Sequence, residues 1–309
     1  MTDPRDLVPI TPAEINRVMG SLSRNTLKYL GQHFLCDRNL RDALVRDAQI
    51  QDNELILEIG TGLGILTAGL LTSKAQIVSV EIDDIMYTLA RDFLGEFDNL
   101  TLINDEALNK NALSQKVIDT LEDKIAKMSD PLRLRLVANL PYNIATTVIN
   151  AVMEWQGKTG VKFSGIFAMI QKEVAQRLTA ETGTKDFGYM TVLCALHGEF
   201  IRGRFVKPGV FYPPPRVDSM IITAELTREM LSKTSDYEYT KKFLHYLFMH
   251  RRKGAVKSLK LGADKKYAIN IADAFAELQI DESLRPEQLY VAEIISLANK
   301  CLELGINFS

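Results

Sequence analysis

The fold of this chain is decided by the stretch Leu55-Ile56-Leu57-Glu58-Ile59-Gly60-Thr61-Gly62-Leu63-Gly64, an apolar run followed at once by a glycine-rich turn. The apolar run predicts a buried strand, and the apolar pattern of residues 66–71 predicts a helix directly after the turn. Glycines at such a junction allow the backbone to approach a ligand closely. The unit therefore predicts a cradle for a nucleotide-type ligand.

The spacing of the turn and an acid after the next strand narrow the class of ligand. A dinucleotide fingerprint requires a third glycine at position 65, where this chain has Ile65, so a nicotinamide oxidoreductase is disfavoured. The next predicted strand, residues 76–80, leads into Glu81, which lies 21 residues after Gly60. A carboxylate at that strand end can accept hydrogen bonds from both hydroxyls of a ribose. The two features together predict an adenosine-bearing ligand.

Polar residues also follow the next two predicted strands, at residues 100–103 and 134–138. Asp105 and Glu106 follow the first of these, where a carboxylate can bind an adenine amino group or cap a helix. The second leads into Asn139-Leu140-Pro141-Tyr142, a turn stiffened by a proline that fixes φ and has no N–H. Its amide, ring and backbone carbonyls suit a flat heteroaromatic amine. The alternative is a rigid connection whose tyrosine packs on the core.

The remaining strands complete the prediction of the first domain. Residues 166–170 predict a fifth strand, and residues 190–205 and 219–226 predict an antiparallel pair at a sheet edge, whereas residues 109–130 form a polar segment. Strands that alternate with helices predict a doubly wound, mostly parallel α/β sheet. Ligand sites of such sheets lie off the carboxyl ends of the strands.

Two further residues have a functional and a structural interpretation. Phe211 precedes three prolines in the connection between the last two strands, and its ring either stacks on a base or belongs to the core. His33 follows Gly31 and Gln32, and it either lies in a loop that covers the ligand or serves the structure alone.

From about residue 227 the pattern contains helices only, which predicts a domain of residues 1–226 and a small all-helical domain of residues 227–309. The predicted helices span residues 239–250, 253–261, 268–278 and 286–304. Between Lys241 and Lys266 there are nine Lys or Arg residues and one acid. The cations Arg251, Arg252, Lys253 and Lys257 suit the phosphates of a nucleic acid without base specificity, although such runs are also ordinary solvated faces.

Composition limits the class of protein. The 309 residues, 46% apolar and 25% charged with a net charge of −2, are typical of a globular enzyme and give no hint of a polyanionic partner. The N-terminus, with Asp3, Arg5 and Asp6, fits no secretion signal, so we expect a cytoplasmic protein without a membrane span. Three distant cysteines predict neither a disulfide framework nor a metal site.

The motifs, in this order and over nearly the whole chain, resemble the small-subunit rRNA adenine N6,N6-dimethyltransferases. The resemblance lies in Gly31-Gln32-His33-Phe34-Leu35, residues 58–64, Val80-Glu81-Ile82-Asp83, Asn139-Leu140-Pro141-Tyr142-Asn143-Ile144, Gln171-Lys172-Glu173-Val174, residues 211–219 and Arg251-Arg252-Lys253. It implies a seven-stranded, Rossmann-like methyltransferase sheet. It also implies that S-adenosyl-L-methionine is the cofactor and that no metal is needed. The implied cofactor-binding residues are His33, Leu35, Gly60, Gly62, Glu81, Asp105 or Glu106, and Asn139.

The resemblance implies that the turn at Asn139 receives a target adenine, on which Tyr142 stacks. The family dimethylates two adjacent adenosines in a hairpin loop near the 3′ end of 16S rRNA, in the immature small ribosomal subunit, and we expect a monomer to act. This chain has Asp105-Glu106 where the family usually has one Asp, and Thr61 where proline is common. The alternatives are a 23S rRNA adenine N6-methyltransferase and a non-catalytic RNA-binding assembly or transcription factor on a methyltransferase scaffold.

Overall fold

The computed structural model describes residues 2–20, 33–128, 133–158 and 160–308, so Gly31 and Gln32 lie outside the described residues. The helices are α1 (Pro12–Gly20), α2 (Arg38–Asp47), α3 (Ile65–Leu70), α4 (Asp84–Leu94), α5 (Gln115–Lys127), α6 (Ala145–Glu154), α7 (Lys172–Leu178), α8 (Tyr189–His197), α9 (Tyr237–Met249), α10 (Ala255–Gly262), α11 (Ala268–Glu277) and α12 (Val291–Glu303). The strands are β1 (Phe34–Leu35), β2 (Glu54–Ile59), β3 (Gln76–Glu81), β4 (Leu100–Asn104), β5 (Leu108–Asn109), β6 (Ala112–Leu113), β7 (Arg133–Asn139), β8 (Phe163–Gln171), β9 (Glu199–Val206), β10 (Phe211–Tyr212) and β11 (Ser219–Glu225).

Seven strands form one sheet in the order β4-β3-β2-β7-β8-β11-β9. Strands β4, β3, β2, β7 and β8 pair in parallel, and β11 is antiparallel to β8. This topology confirms the predicted doubly wound, mostly parallel seven-stranded sheet. The strand order reverses between β2 and β7, and ligands of such sheets bind at the carboxyl ends of the strands on either side of this point.

All six residues of β2 are buried, as expected for a parallel strand that is covered on both faces. Its acid Glu54 is tolerated because Arg135 lies 3.2 Å away (Nη1 to Oε2) and also donates to the carbonyl of Ala48. The apolar residues of β2 join those of β3, β7 and β8 in the main core. The core thus fixes the positions at which these strands end and their loops begin.

The prediction of a single strand over residues 190–205 is wrong, because its first half forms α8 and only β9 is extended. Val192 and Leu196 are buried and four residues apart, as on one face of a helix. The apolar run is nearly continuous there, and a buried helix and a buried strand share that pattern. The polar segment 109–130 contains α5, whose buried Val117, Leu121 and Ile125 have helical spacing.

The chain divides into two compact units, Met1–Val174 with Arg202–Glu225, and Ala175–Ile201 with Leu226–Ser309. The first contains most of the sheet. In the second, α9 packs on α8, α10 and α12, and the buried rings of Phe243 and Phe308 meet edge to face. Helices α9 to α12 confirm the predicted C-terminal helical region. Residues 175–201 belong to the second unit, and the domain boundary at residues 226 and 227 stays a prediction.

None of the helices within residues 2–20, 33–128, 133–158 and 160–308 combines the length and the apolar character of a membrane span. The same ranges contain no group of three or more His, Cys, Asp or Glu side chains that could hold a metal ion.

Candidate active site

A cavity of about 330 Å³ lies where β2, β3, β4 and β7 end. It brings together most of the predicted site residues, which arrive from five separate places in the sequence. These residues are His33, Leu35, Gly60, Gly62, Glu81, Asp105, Glu106, Asn139, Leu140, Pro141 and Tyr142. Phe211 and the cations Arg251, Arg252, Lys253 and Lys257 do not line it.

The glycine turn forms the floor of this cavity and requires glycine for two reasons. Gly60 and Gly62 have φ values of +89° and +55°, in the left-handed region that other residues rarely adopt. A Cβ atom at Gly60 would lie 3.2 Å from the ring of Pro141, and one at Gly62 would lie 3.3 Å from the ring of Phe34. The turn after β2 therefore packs directly against the turn after β7 and the segment that precedes α2.

We expect the substitution Gly60→Ala to lower the free energy of unfolding by about 2 kcal/mol, because it adds left-handed strain and a close contact with Pro141. Urea unfolding of the purified protein measures this change. The matched control is Gly209→Ala, since a Cβ at Gly209 meets no atom within 4 Å and its φ is not positive. Equal stability of the two variants would contradict the prediction.

Glu81 holds the turn from the neighbouring strand. Its Oε2 accepts a hydrogen bond from the Gly62 amide (2.7 Å), and its Oε1 accepts one from the Asp83 amide (2.9 Å). The side chain is 4% exposed, and this burial raises its pKa. Each carboxylate oxygen has two acceptor positions, so both oxygens can accept one more hydrogen bond from a ligand.

Beneath the turn lies a buried polar network that the sequence reasoning did not identify. Thr67 and Ser79 each donate a hydroxyl hydrogen bond of 2.7 Å to Glu58 Oε2, and Thr61 Oγ1 lies 2.6 Å from Ser79 Oγ. Burial raises the pKa of Glu58 to about 7, and the charge of Glu81 acts in the same direction. An acid inside an apolar strand was the available signal, because buried acids need partners.

Glu58 predicts a pH dependence of stability. Its pKa rises on folding from an ordinary 4.5 to about 7, so its stabilising contribution is complete below pH 4.5 and is lost as the pH rises through 7. We expect wild type to lose on the order of 3 kcal/mol relative to Glu58→Gln between pH 4.5 and 8. Urea unfolding of both proteins across this range measures the difference, in which the titration of groups not coupled to Glu58 cancels. A constant difference would contradict the prediction.

The two acids after β4 differ in their contacts. Asp105 Oδ1 accepts a hydrogen bond from the Glu106 amide (2.8 Å), and its Oδ2 lies 3.8 Å from Lys116 Nζ. The exposed Glu106 carboxylate has no hydrogen-bond or ion-pair partner among the residues that the structure describes. Of the two acids, Glu106 is therefore the one with no partner in the described chain, whereas the Asp105 oxygens keep acceptor capacity beside their existing contacts.

The side chains of the turn after β7 make few hydrogen bonds to the rest of the described chain. The Leu140 amide donates to the Met169 carbonyl (3.1 Å), which fixes the strand end. The half-buried Asn139 amide makes no side-chain hydrogen bond to any described residue. Tyr142 Oη lies 2.6 Å from Ser219 Oγ, and burial raises the pKa of this phenol. An unpaired amide and an anchored ring thus border the same cavity.

His33 is fixed beside this ring by the short β1–β10 pair, in which Phe34 faces Tyr212. Its Nδ1 lies 2.8 Å from the Pro213 carbonyl, so Nδ1 carries the proton. The His33 and Tyr142 ring centroids are 5.6 Å apart, with the rings tilted by 34°. Phe211, by contrast, is 3% exposed within the main core, and its proposed stacking on a base stays a prediction.

The predicted RNA-binding cations lie in the second compact unit and are all exposed. Arg251 donates to the carbonyls of Lys185 and Phe187, the latter at 3.0 Å, so this guanidinium also supports the local fold. The side chains of Arg252, Lys253 and Lys257 have no partner within the described part of the chain. These three remain available to a polyanion.

Comparison with known proteins identifies the family. The family model described as ribosomal RNA adenine dimethylase matches residues 24–301. Ribosomal RNA small subunit methyltransferase A from Ligilactobacillus salivarius is 31% identical over 299 residues, covering 96% of this chain and 97% of the relative. The protein of the same name from Geobacter sulfurreducens is 33% identical over 278 residues, covering 90% and 96%. The crystal structure of a dimethyladenosine transferase from Plasmodium falciparum superimposes with a TM-score of 0.70 at 21% identity, covering 90% of this chain and 100% of the other. The chain therefore belongs to the ribosomal RNA adenine dimethylase family.

Proposed function

We propose that this protein transfers methyl groups from S-adenosyl-L-methionine to N6 of two adjacent adenosines in the hairpin loop near the 3′ end of 16S rRNA, and dimethylates both. The observation that carries the proposal is that the glycine turn, Glu81 and the Asn139–Tyr142 turn border one cavity. Family membership supports the same chemistry, and the names of the small-subunit relatives support the choice of RNA.

The residues of the cavity fit S-adenosyl-L-methionine. The volume of about 330 Å³ lies in the range of ligand sites, and the turn of Gly60 and Gly62 allows close backbone approach. Glu81 has acceptor capacity for ribose hydroxyls, and Glu106 has an unpaired carboxylate for an adenine amino group. The cofactor, when bound, supplies a methyl group on a positively charged sulfur.

Residues of the turn after β7 can bind and orient the target adenine. Its amino nitrogen is a poor nucleophile while its lone pair is shared with the ring. The Asn139 side-chain oxygen can accept one N–H hydrogen bond, and a backbone carbonyl can accept the other. The carbonyl of Pro141 already accepts from the Ile144 amide (3.1 Å), which favours that of Leu140. Stacking on Tyr142 then holds the nitrogen in place, so positioning supplies most of the rate.

The proposed function also includes the RNA substrate particle, the cellular compartment and the oligomeric state. We propose that the substrate is the immature small ribosomal subunit. The protein is proposed to bind it as a monomer in the cytoplasm. Arg251, Arg252, Lys253 and Lys257 are proposed to bind phosphates of the rRNA. A target in a hairpin loop suits the chemistry, because the base must leave its stack and a loop makes this less costly than a duplex does.

The test mixes purified protein, isotope-labelled S-adenosyl-L-methionine and small-subunit particles from cells that lack the modification. We expect dimethyladenosine at two adjacent positions of 16S rRNA, read by mass spectrometry of RNA fragments. In a parallel reaction with large-subunit particles, transfer to 23S rRNA without transfer to 16S rRNA would favour the large-subunit alternative. Absence of cofactor binding in calorimetry would favour the non-catalytic scaffold, and either result would overturn the proposal.

A further inference from the structure

Phe205 is a large aromatic side chain that neither the core nor the cavity uses. It lies near the end of the edge strand β9 and is 44% exposed. Single exposed apolar residues are common on protein surfaces, so exposure alone assigns no role. The surroundings of the ring are what distinguish it.

The ring lies at the end of β11 that carries Ser219. Gly203 lies two residues before Phe205 in β9 and therefore on the same face of the sheet. Gly203 packs against Ile221 of β11, so Phe205 faces the position on β11 that is next to Ile221 on that face. The contacts of Lys172 show that Phe205 lies near the end of β11 that begins at Ser219. Its Nζ lies 5.2 Å from the Phe205 ring centroid and 3.8 Å from Asp218 Oδ2, and its amide donates to the Asp218 carbonyl (2.9 Å).

Ser219 connects this ring to the acceptor turn. Its hydroxyl lies 2.6 Å from Tyr142 Oη. The contact of Gly203 with Ile221 places Phe205 beside Ser219 on the neighbouring strand β9, so Ser219 lies between the two rings. Neighbouring strands are separated by roughly 4.8 Å, so the step from Ser219 to Phe205 is about one strand spacing. An RNA strand whose target base lies on Tyr142 therefore has a second aromatic ring within reach of an adjoining nucleotide.

The local charge suits an RNA backbone. Residues 199–218 contain four basic side chains, Arg202, Arg204, Lys207 and Arg216, against two acidic ones, Glu199 and Asp218. Arg202 and Arg204 alternate with Phe205 along β9 and lie on the opposite face, where Arg204 pairs with Asp47 (3.0 Å), so Lys207 and Arg216 are the further cations of this segment. Lys172, whose side chain is 40% exposed, adds an ammonium group 5.2 Å from the ring centroid and 3.8 Å from Asp218 Oδ2. Proteins bind single-stranded nucleic acids by this combination of an aromatic platform and nearby cations.

We propose that Phe205 and Lys172 form a platform on which a base adjoining the target adenosine stacks, with the ammonium group facing the phosphate of that nucleotide. The proposal rests on the proposed function and adds to it a specific contact outside the methyl-transfer pocket. Phe205 is a positioning residue, since it does not line the cavity that holds the reacting groups.

The test uses an RNA hairpin whose loop contains two adjacent adenosines, with the fluorescent base 2-aminopurine placed at the position before or after them. Stacking on an aromatic ring quenches this fluorophore. We expect wild type and Phe205→Trp to quench it at one of the two positions, and Phe205→Leu to bind the hairpin about tenfold more weakly without quenching. The matched control is Ile201→Ala, an exposed apolar residue of the same strand.

Methyl transfer gives a second, independent result. For Phe205→Leu we expect KM for the RNA particle to rise about tenfold, with kcat at saturating particle and the affinity for S-adenosyl-L-methionine unchanged. Quenching and KM equal to wild type in Phe205→Leu would overturn the platform while leaving the proposed function intact. A wild-type protein that transfers no methyl group would overturn the proposed function itself, and the platform with it.

Discussion

The substitution Asn139→Ala is expected to lower the single-turnover rate of methyl transfer by about 100- to 1,000-fold, the cost of one preorganised hydrogen bond to the reacting group. The stability of the protein should change by less than about 0.5 kcal/mol, because the half-buried amide has no side-chain partner in the described chain. The rate is measured with enzyme in excess over small-subunit particles, and stability by thermal unfolding.

Two comparisons make the Asn139 result specific. Asn111→Ala removes an exposed amide in the turn between β5 and β6, outside the cavity, and should keep the wild-type rate. The affinity of Asn139→Ala for S-adenosyl-L-methionine, measured by calorimetry, separates a defect in cofactor binding from one in the methyl-transfer step. A rate within threefold of wild type would remove Asn139 from the proposed chemistry.

The second large effect is expected at Glu81, whose replacement by alanine should weaken binding of S-adenosyl-L-methionine about 100-fold or more. Two hydrogen bonds from ribose hydroxyls to a carboxylate contribute roughly 1.5–3 kcal/mol each. The same substitution leaves the amides of Gly62 and Asp83 without their partner, so we also expect a stability loss of about 1–3 kcal/mol. Calorimetric titration measures the affinity, and urea unfolding measures the stability.

A ligand without ribose hydroxyls separates these two causes. For wild type, S-adenosylhomocysteine that lacks both hydroxyls should bind much more weakly than the intact compound, whereas Glu81→Ala should bind both equally. The matched control is Asp84→Ala, an acid three residues along the chain that contacts Asn104 and does not line the cavity. If removal of the hydroxyls weakens binding to Glu81→Ala as much as to wild type, the carboxylate does not hold the ribose.

Local pattern was sufficient where a turn signal marks the end of a short apolar run. The run before Gly60 is buried on both faces as a parallel strand, and the glycines directly after it have the positive φ that such a turn needs. The run at residues 190–198 failed, because continuous apolar character fits a buried helix as well as a strand and only the packing partners decide between them.

The sequence by itself determined the doubly wound sheet, the glycine turn, the acids at the strand ends and the stiff turn at Pro141, because each depends on residues close together along the chain. Only the tertiary structure decided which side chains remain free for a ligand. Pairing of β1 with β10 places His33 beside Tyr142, Ser219 anchors the phenol, and Lys116 lies near Asp105, whereas Glu106 has no partner among the described residues. The physical reason is that a hydrogen bond acts over about 3 Å in space, and residues as distant in sequence as Tyr142 and Ser219 come within that range only when the sheet has formed.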